Sequence, residues 1–385
     1  MVEPQKSERL PQLQVLRFVA ASLVLFGHLL MEMREHGMGS ATLSNMDAYP
    51  WGSGVDIFFV ISGFIIFYVC VGKESTVDNL VDFISRRLIR IVPIYWFFSA
   101  LMIVAIAMFG FYVKQKALDP GHIASSFLFI PWARPGDGDV RPILGQGWTL
   151  NYEMFFYAAF SLVFLAPKHL RGLIITAAFV VLVGLGALIH PQANSLLGFY
   201  TNDVVLEFVL GIGLCWTYLR FKAWPPAVCA ILIVGGFVAL GVLAPFWPAW
   251  PRVLVEGLPA LLIATGFVMS GPVGAKLTSS ATLILLGNAS YSLYLSHPFI
   301  VNGWLLVWRK LHIHSPILFI VTCFALAVAV SAGVYVFLEM RIQRILLGAY
   351  AALRHRRALA RPLEPDPVET AAEGRAEPAA PGHTA

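Results

Sequence analysis

The sequence predicts an all-α, polytopic membrane protein of about ten transmembrane helices, and three observations carry that prediction. Only 13% of the 385 residues are charged, where a soluble protein carries about 25%. Hydrophobic residues make up 58% of the chain, and its mean hydropathy is +0.74. Apolar runs long enough to cross a bilayer, roughly 20 residues, recur from one end of the chain to the other.

The first expected span, 13–33, begins LQVLRFVAASLVLFGHLL and holds two ionisable residues, Arg17 and His28. Charge at hydrocarbon depth is costly and usually faces a protein interior or a wet cavity. Eleven helical steps return the chain to about the same face and separate the two residues by roughly 16 Å. Two readings stand: a snorkelling arginine with a histidine satisfied by a neighbouring helix, or a cation and a titratable imidazole receiving an anionic carrier.

The second span, 51–72, opens WGSGVDIFFVISGFIIFY. Asp56 lies near its outer end, placed to cap the helix or to pair with His28. Ser62 and Gly63 allow another helix close approach. FISRRLIRIVPIYWFF then leads into the third span, 88–110, with Arg86, Arg87 and Arg90 at the boundary. Arg87 and Arg90 share a face and suit phosphate, although topology anchoring alone would also place arginines there. The connection 111–147 is Pro- and Gly-rich, with little helical periodicity. It is expected to be an ordered outer lid or substrate surface, with Trp132 and Trp148 at interface-like positions.

The fourth span, 149–167, opens at WTLNYEMFFYAAF, where Glu153 and Tyr157 share a face. A carboxylate at this depth needs a partner, either His28 or Tyr157. Spans at 171–190, 201–220, 224–245 and 253–270 follow. Glu207 lies in the sixth, and the Trp- and Pro-rich stretch Ala223–Pro251 matches a membrane-interface belt. The ninth, 282–301, carries the polar stripe SYSLYLSHPF with His297 near its outer end. The tenth is 314–338.

With the N-terminus inside, cytoplasmic segments hold 18 of the 27 Lys and Arg residues, so both termini are expected in the cytoplasm. No cleavable leader is evident in MVEPQKSERLPQ. Three segments follow: an N-terminal stretch 1–12, a membrane domain 13–340, and a tail 341–385 that is first basic, and so suited to anionic lipids, then disordered. The basic residues lie at loop ends, which is not a nucleic-acid signature. Cys70, Cys215, Cys229 and Cys323 sit singly in apolar runs and read as small core residues, and no metal is expected.

Arg17-x10-His28, FFVISGF, Arg87-x-x-Arg90, WTLNYEMFFY and SYSLYLSHPF, in this order, resemble the acyltransferase-3 family of integral membrane O-acyltransferases, in its exopolysaccharide and lipopolysaccharide O-acetyltransferase branch. The resemblance covers about 13–340. It implies that His28 is the catalytic base and that Arg17 is essential beside it. It further implies that Arg87 and Arg90, with Arg86 adjoining, hold acetyl-CoA or another acyl-CoA at the cytoplasmic side, and that Glu153 is the acid of the WTL-x-x-E motif. Asp56 is the further catalytic candidate. The family's appended extracellular hydrolase-like domain is not evident.

The expected reaction moves an acyl group, acetyl by resemblance, to a hydroxyl of a polysaccharide or its lipid-linked oligosaccharide precursor at the bacterial inner membrane. The acyl-CoA, the glycan and membrane lipids are the expected partners, and a homo-oligomer is left open. The competing class is a transporter or flippase of lipid-linked saccharide without acyl chemistry. It gives no reason for the arginine pair together with a histidine in register with Arg17.

Overall fold

A computed structural model describes residues 10–37, 46, 48–109, 118–134 and 138–359. The described residues form helices and connecting turns. The first, α1 (Pro11–Glu35), starts with a proline in its first turn, where a missing N–H costs nothing. A short turn leads to α2 (Gly54–Cys70) and then to α3 (Val77–Phe109), which contains Pro93. Next come α4 (Pro120–Phe127), α5 (Trp148–Phe164), α6 (Arg171–Ile189), the one-turn α7 (Leu196–Tyr200), α8 (Leu206–Phe221) and α9 (Pro226–Leu243). A π-turn, Val253–Gly257, opens α10 (Leu258–Met269), which α11 (Gly271–Thr278) and α12 (Ala281–Asn288) follow. The chain continues with α13 (Ser290–Lys310), α14 (Pro316–Val334), a second π-turn (Tyr335–Glu339) and α15 (Met340–Leu359).

Among the described residues seven helices are long and apolar enough to cross a membrane, and Val253–Met269 with Gly271–Thr278, bent by 90°, make eight if the pair counts as one span. The remaining two of the ten expected spans are helical but depart from that standard. Helix α5 has 17 residues. In α13, Ser290, Ser292, Ser296 and His297 dilute an apolar run and are buried against protein. Both helices thus trade lipid compatibility for polar contacts inside the bundle.

The most enclosed span is α2. It packs against α1, α8 and α10. Its approach to α8 depends on reciprocal glycines: a Cβ on Gly63 would overlap Phe208 O, and one on Gly211 would overlap Val60 O. The outer helices carry the lipid-facing surface, with Leu162, Ile231 and Ile317 among their most exposed apolar side chains.

At one end of the bundle, buried Arg171 closes the α2–α3 and α5–α6 connections together. Its Nη1 donates to Cys70 O and Lys73 O, each at 3.0 Å, and its Nη2 donates to Ser75 Oγ at 2.8 Å. The guanidinium also lies 4.3 Å from the centroid of the Phe164 ring. One cation therefore collects carbonyls left over at the end of α2.

Part of the connection expected to lack helix is α4. Asp119 Oδ2 accepts from His122 N at 2.7 Å, and Pro120 stands at the first helical position, which together start a helix despite the surrounding Gly and Pro. The segment is bound to α3 through Tyr95 Oη to Ser126 O and Trp96 Nε1 to Phe127 O. Further along, Arg141 and Arg134 hold Asp139. Burial pushes the Asp139 carboxyl up, but the Arg141 hydrogen bonds and the two positive charges outweigh it and hold it below its usual range. Residues 110–117 and 135–137 of this connection lie outside the described residues, as does the expected disordered tail beyond Leu359. The basic start of that tail is helical, through α15, in keeping with its Ala, Leu and Arg content.

Contact clustering divides the chain into a unit of residues 1–341 and a second of residues 342–385. The candidate site lies in the first. All four cysteines are buried there as free thiols.

Candidate functional site

Five helices deliver polar side chains to one cavity. Arg17 comes from α1, Ser62 from α2, Arg87 and Arg90 from α3, Glu153 and Tyr157 from α5, and Tyr291 and Tyr294 from α13. The cavity volume is about 80 Å³, enough for several waters or a slender chain and too narrow for a bulky ring system. The three-residue spacing of Arg87 and Arg90 turns both toward it, whereas Arg86 points elsewhere, with Nε 2.9 Å from Asp82 Oδ1.

The charge in the cavity is unbalanced. Arg17 is buried and, among the described residues, donates to Gln14 Oε1 alone, at 3.4 Å. Arg87 and Arg90 have no hydrogen-bond or ion-pair partner among the described residues. Against these three cations stands Glu153, whose Oε1 accepts from the Tyr157 hydroxyl and from Ser62 Oγ, the latter at 3.3 Å. Of the two partners expected for Glu153, the structure shows Tyr157. Three guanidiniums facing one carboxylate in a recess form a site for an anionic group.

His28 lies beside this cavity, not in its wall. Its Nδ1 is 2.9 Å from Val24 O. A carbonyl can only accept, so Nδ1 carries the proton and Nε2 is the basic nitrogen of the neutral ring. The His297 ring lies 4.8 Å away between centroids and repeats the same arrangement, with Nδ1 3.2 Å from Leu293 O. The Nε2 atom of His297 is buried without a hydrogen-bond partner among the described residues. From His297 the next ring is Tyr294, 6.1 Å between centroids, which lines the cavity. The Tyr294 hydroxyl is fixed by Thr149 Oγ1 and Gln146 O, each at 3.0 Å. The imidazole pair is therefore one aromatic ring away from the arginines.

Asp56 takes neither role expected for it. Its two oxygens are held by Arg252, from Nε and Nη2, each at 2.8 Å, and Arg252 Nη2 also lies 3.0 Å from Glu256. Asp56 and Glu207 are fully buried alongside. The π-turn that starts after Arg252 brings Glu256 back onto the same guanidinium, and the other π-turn carries buried Glu339, which accepts from Ser292 Oγ at 2.5 Å. Wide turns of this kind often occur at functional positions. Sequence reasoning missed Arg252 as the partner of Asp56, because a lone arginine after a Pro- and Trp-rich loop reads as a loop-end charge. It noted His297 without linking it to His28. The shared i→i−4 placement of a carbonyl under each histidine is the only local signal, and it does not reveal the pairing.

Comparison with known proteins identifies the family. The acyltransferase domain family matches residues 10–336. The exopolysaccharide production protein ExoZ of Rhizobium meliloti (strain 1021) is 37% identical over 254 residues, covering 65% of this chain and 76% of that protein. Acyltransferase MdmB of Streptomyces mycarofaciens is 25% identical over 326 residues, covering 78% and 81%. O-acetyltransferase OatA of Staphylococcus aureus (strain NCTC 8325 / PS 47) is 28% identical over 282 residues, covering 64% of this chain but only 46% of that longer protein. No solved structure matches. With the family matched across nearly all of the bundle that builds the cavity, the chain belongs to the acyltransferase-domain family and is a polytopic membrane acyltransferase.

Proposed function

We propose that the protein transfers an acetyl group from acetyl-CoA to a hydroxyl of a cell-surface or exported polysaccharide, or of its lipid-linked precursor, in the bacterial inner membrane. The observation that carries this reading is the set of three guanidiniums, Arg17, Arg87 and Arg90, turned on one cavity whose lining holds a single carboxylate, Glu153. A donor carrying phosphates supplies the missing charge, and its acyl-bearing arm is slender enough for the space. The named relatives support a glycan as acceptor, since one is an exopolysaccharide production protein and another an O-acetyltransferase.

In this reaction the acceptor hydroxyl oxygen attacks the thioester carbonyl carbon. His28 Nε2 takes the hydroxyl proton, the C–S bond breaks, and the proton passes to the departing thiolate. His28 is half-buried, so a substrate can reach it. Glu153, held by Tyr157 and Ser62, keeps a negative charge among the cavity's arginines rather than orienting the imidazole. Asp56 acts at a distance by fixing Arg252. Both termini are assigned to the cytoplasm, with the donor bound from that side and the 111–147 connection facing outward.

Purified protein supplied with radiolabelled acetyl-CoA and polysaccharide should label the glycan, and His28→Ala should abolish labelling while the protein remains monodisperse. Near-normal turnover in His28→Ala would remove the base assignment. Absence of labelling by wild-type protein across acyl donors would favour a saccharide transporter.

A further inference from the structure

A second cavity, of about 740 Å³, lies where the starts of α5 and α8 meet the connection from α9 to α10. Three tryptophans, Trp148, Trp247 and Trp250, line it together with Asn202, Asp203 and Arg252. The interface-belt reading of this Trp-rich stretch would put the rings on a convex, lipid-facing surface. Instead they border a concavity. Trp250 stacks on Phe246, with centroids 4.9 Å apart, and remains 48% exposed, while Trp247 is 53% exposed.

The polar groups are pinned before any ligand arrives. Asp203 Oδ2 accepts from Val253 N at 2.8 Å, and Asn202 Oδ1 accepts from Val204 N at 3.0 Å. This leaves Asp203 Oδ1 as an acceptor and Asn202 Nδ2 as a donor without partners among the described residues. Arg252 is fixed by its carboxylates and lies 5.8 Å from the Trp148 ring centroid. Electron-rich ring faces beside rigid acceptors and donors match a pyranose, which presents C–H faces edged by hydroxyls. A phospholipid headgroup fits worse, since its phosphate would face Asp203, with Glu256 and Asp56 already holding the single guanidinium.

The cavity also adjoins the first one. Trp148 and Tyr152 line the second and Thr149 the first, while Phe59, in the wall of the first, meets Trp148 and Tyr152 edge-on at 6.2 and 6.1 Å. One layer of aromatic rings separates the two. Resting on the acyl-transfer reading, we propose that this cleft is the acceptor site and binds a saccharide across Trp247 and Trp250, with Asp203 and Asn202 taking its hydroxyls.

The test uses oligosaccharides of three to six residues, released by partial acid hydrolysis of the producing cell's own exopolysaccharide, with the full chain in detergent. Saturation-transfer NMR reads their binding, and the acceptor and donor KM values are measured separately. Trp247→Ala and Trp250→Ala should each raise the acceptor KM about tenfold and quench the saturation transfer, with the acetyl-CoA KM moving less than twofold. Trp250→Phe, which keeps an aromatic face, should recover most of the loss, and Asp203→Asn should weaken binding with the fold intact. Normal transfer with unchanged acceptor KM in both alanine variants overturns the site and leaves the acyl-transfer reading standing. Oligosaccharide binding that is lost in Trp250→Ala, in a protein that transfers no acyl group, upholds the site and overturns the transfer reading. A phospholipid retained by wild type in native mass spectrometry and shed by Trp250→Ala, with oligosaccharide binding unaffected, overturns the saccharide assignment.

Discussion

Replacing Arg252 by glutamine should be among the most destabilising single changes in the bundle. The guanidinium makes two bonds of 2.8 Å to Asp56, which is fully buried, and a third contact of 3.0 Å to Glu256, with buried Glu207 alongside. Removing it leaves several carboxyl groups together without a cation. Breaking a buried pair from one side costs about 3–5 kcal/mol, two to nearly four powers of ten in the unfolded fraction at about 1.4 kcal/mol each. Asp56→Asn should cost less, because Arg252 keeps Glu256 and is partly exposed. The double variant Asp56→Asn/Arg252→Gln should cost less than the two single costs added, since an amide pair can hydrogen-bond and the Asp56 charge is gone, although Glu256 and Glu207 still lack their cation. The four buried thiols supply the assay: a fluorogenic maleimide reports their exposure during thermal unfolding in detergent. If the double variant's cost equals the sum of the two single costs to within about 0.5 kcal/mol, the two residues are not coupled and the reasoning fails.

Three further outcomes are expected. Arg87→Ala and Arg90→Ala should each weaken acetyl-CoA binding by about 1.5–3 kcal/mol, with a larger loss in the double variant and partial rescue by Arg87→Lys. An unchanged donor affinity in the double variant, measured by equilibrium binding, would return both residues to membrane anchoring. In a background lacking the native cysteines, Arg141→Cys should react with an impermeant thiol reagent from outside, and Lys168→Cys only after permeabilisation. Labelling of both from one side would overturn the orientation. Finally, the depressed Asp139 carboxyl contributes stability that is complete above its unfolded pKa of about 3.9 and is lost as the pH falls through its lower folded value. Protection of the Arg141 amide, which donates to Asp139 Oδ1 at 3.0 Å, should be flat from pH 5 to 8 in hydrogen exchange and fall only below that range. A loss near pH 6 would place another group in control.

Much of the site was readable because the bilayer makes charge conspicuous. Arg17, Arg87, Arg90 and Glu153 stand out against apolar runs, and helical spacing turns Arg87 and Arg90 the same way. Sequence separation hid the pairings. Asp56 and Arg252 are 196 residues apart, and His28 meets His297 only because α13 packs on α1. Asp119-Pro120 is a helix-start pattern that the flanking Gly and Pro obscure in the sequence. The two π-turns depend on how neighbouring helices pack, so no local residue pattern announces them.

The ring-thick partition between the cavities bears on the voltage across the membrane. Wet recesses approaching from opposite faces, as in the proposed orientation, shorten the insulating layer, so the potential falls mainly over Phe59, Trp148 and Tyr152. An elementary charge crossing that layer would do about 2.3 kcal/mol of electrical work per 100 mV. A neutral acetyl group does none, so it can be handed outward without drawing on the gradient. The same rings then act as insulation. Truncating Phe59 to alanine should show itself as proton leakage in sealed vesicles before it shows itself as slower transfer.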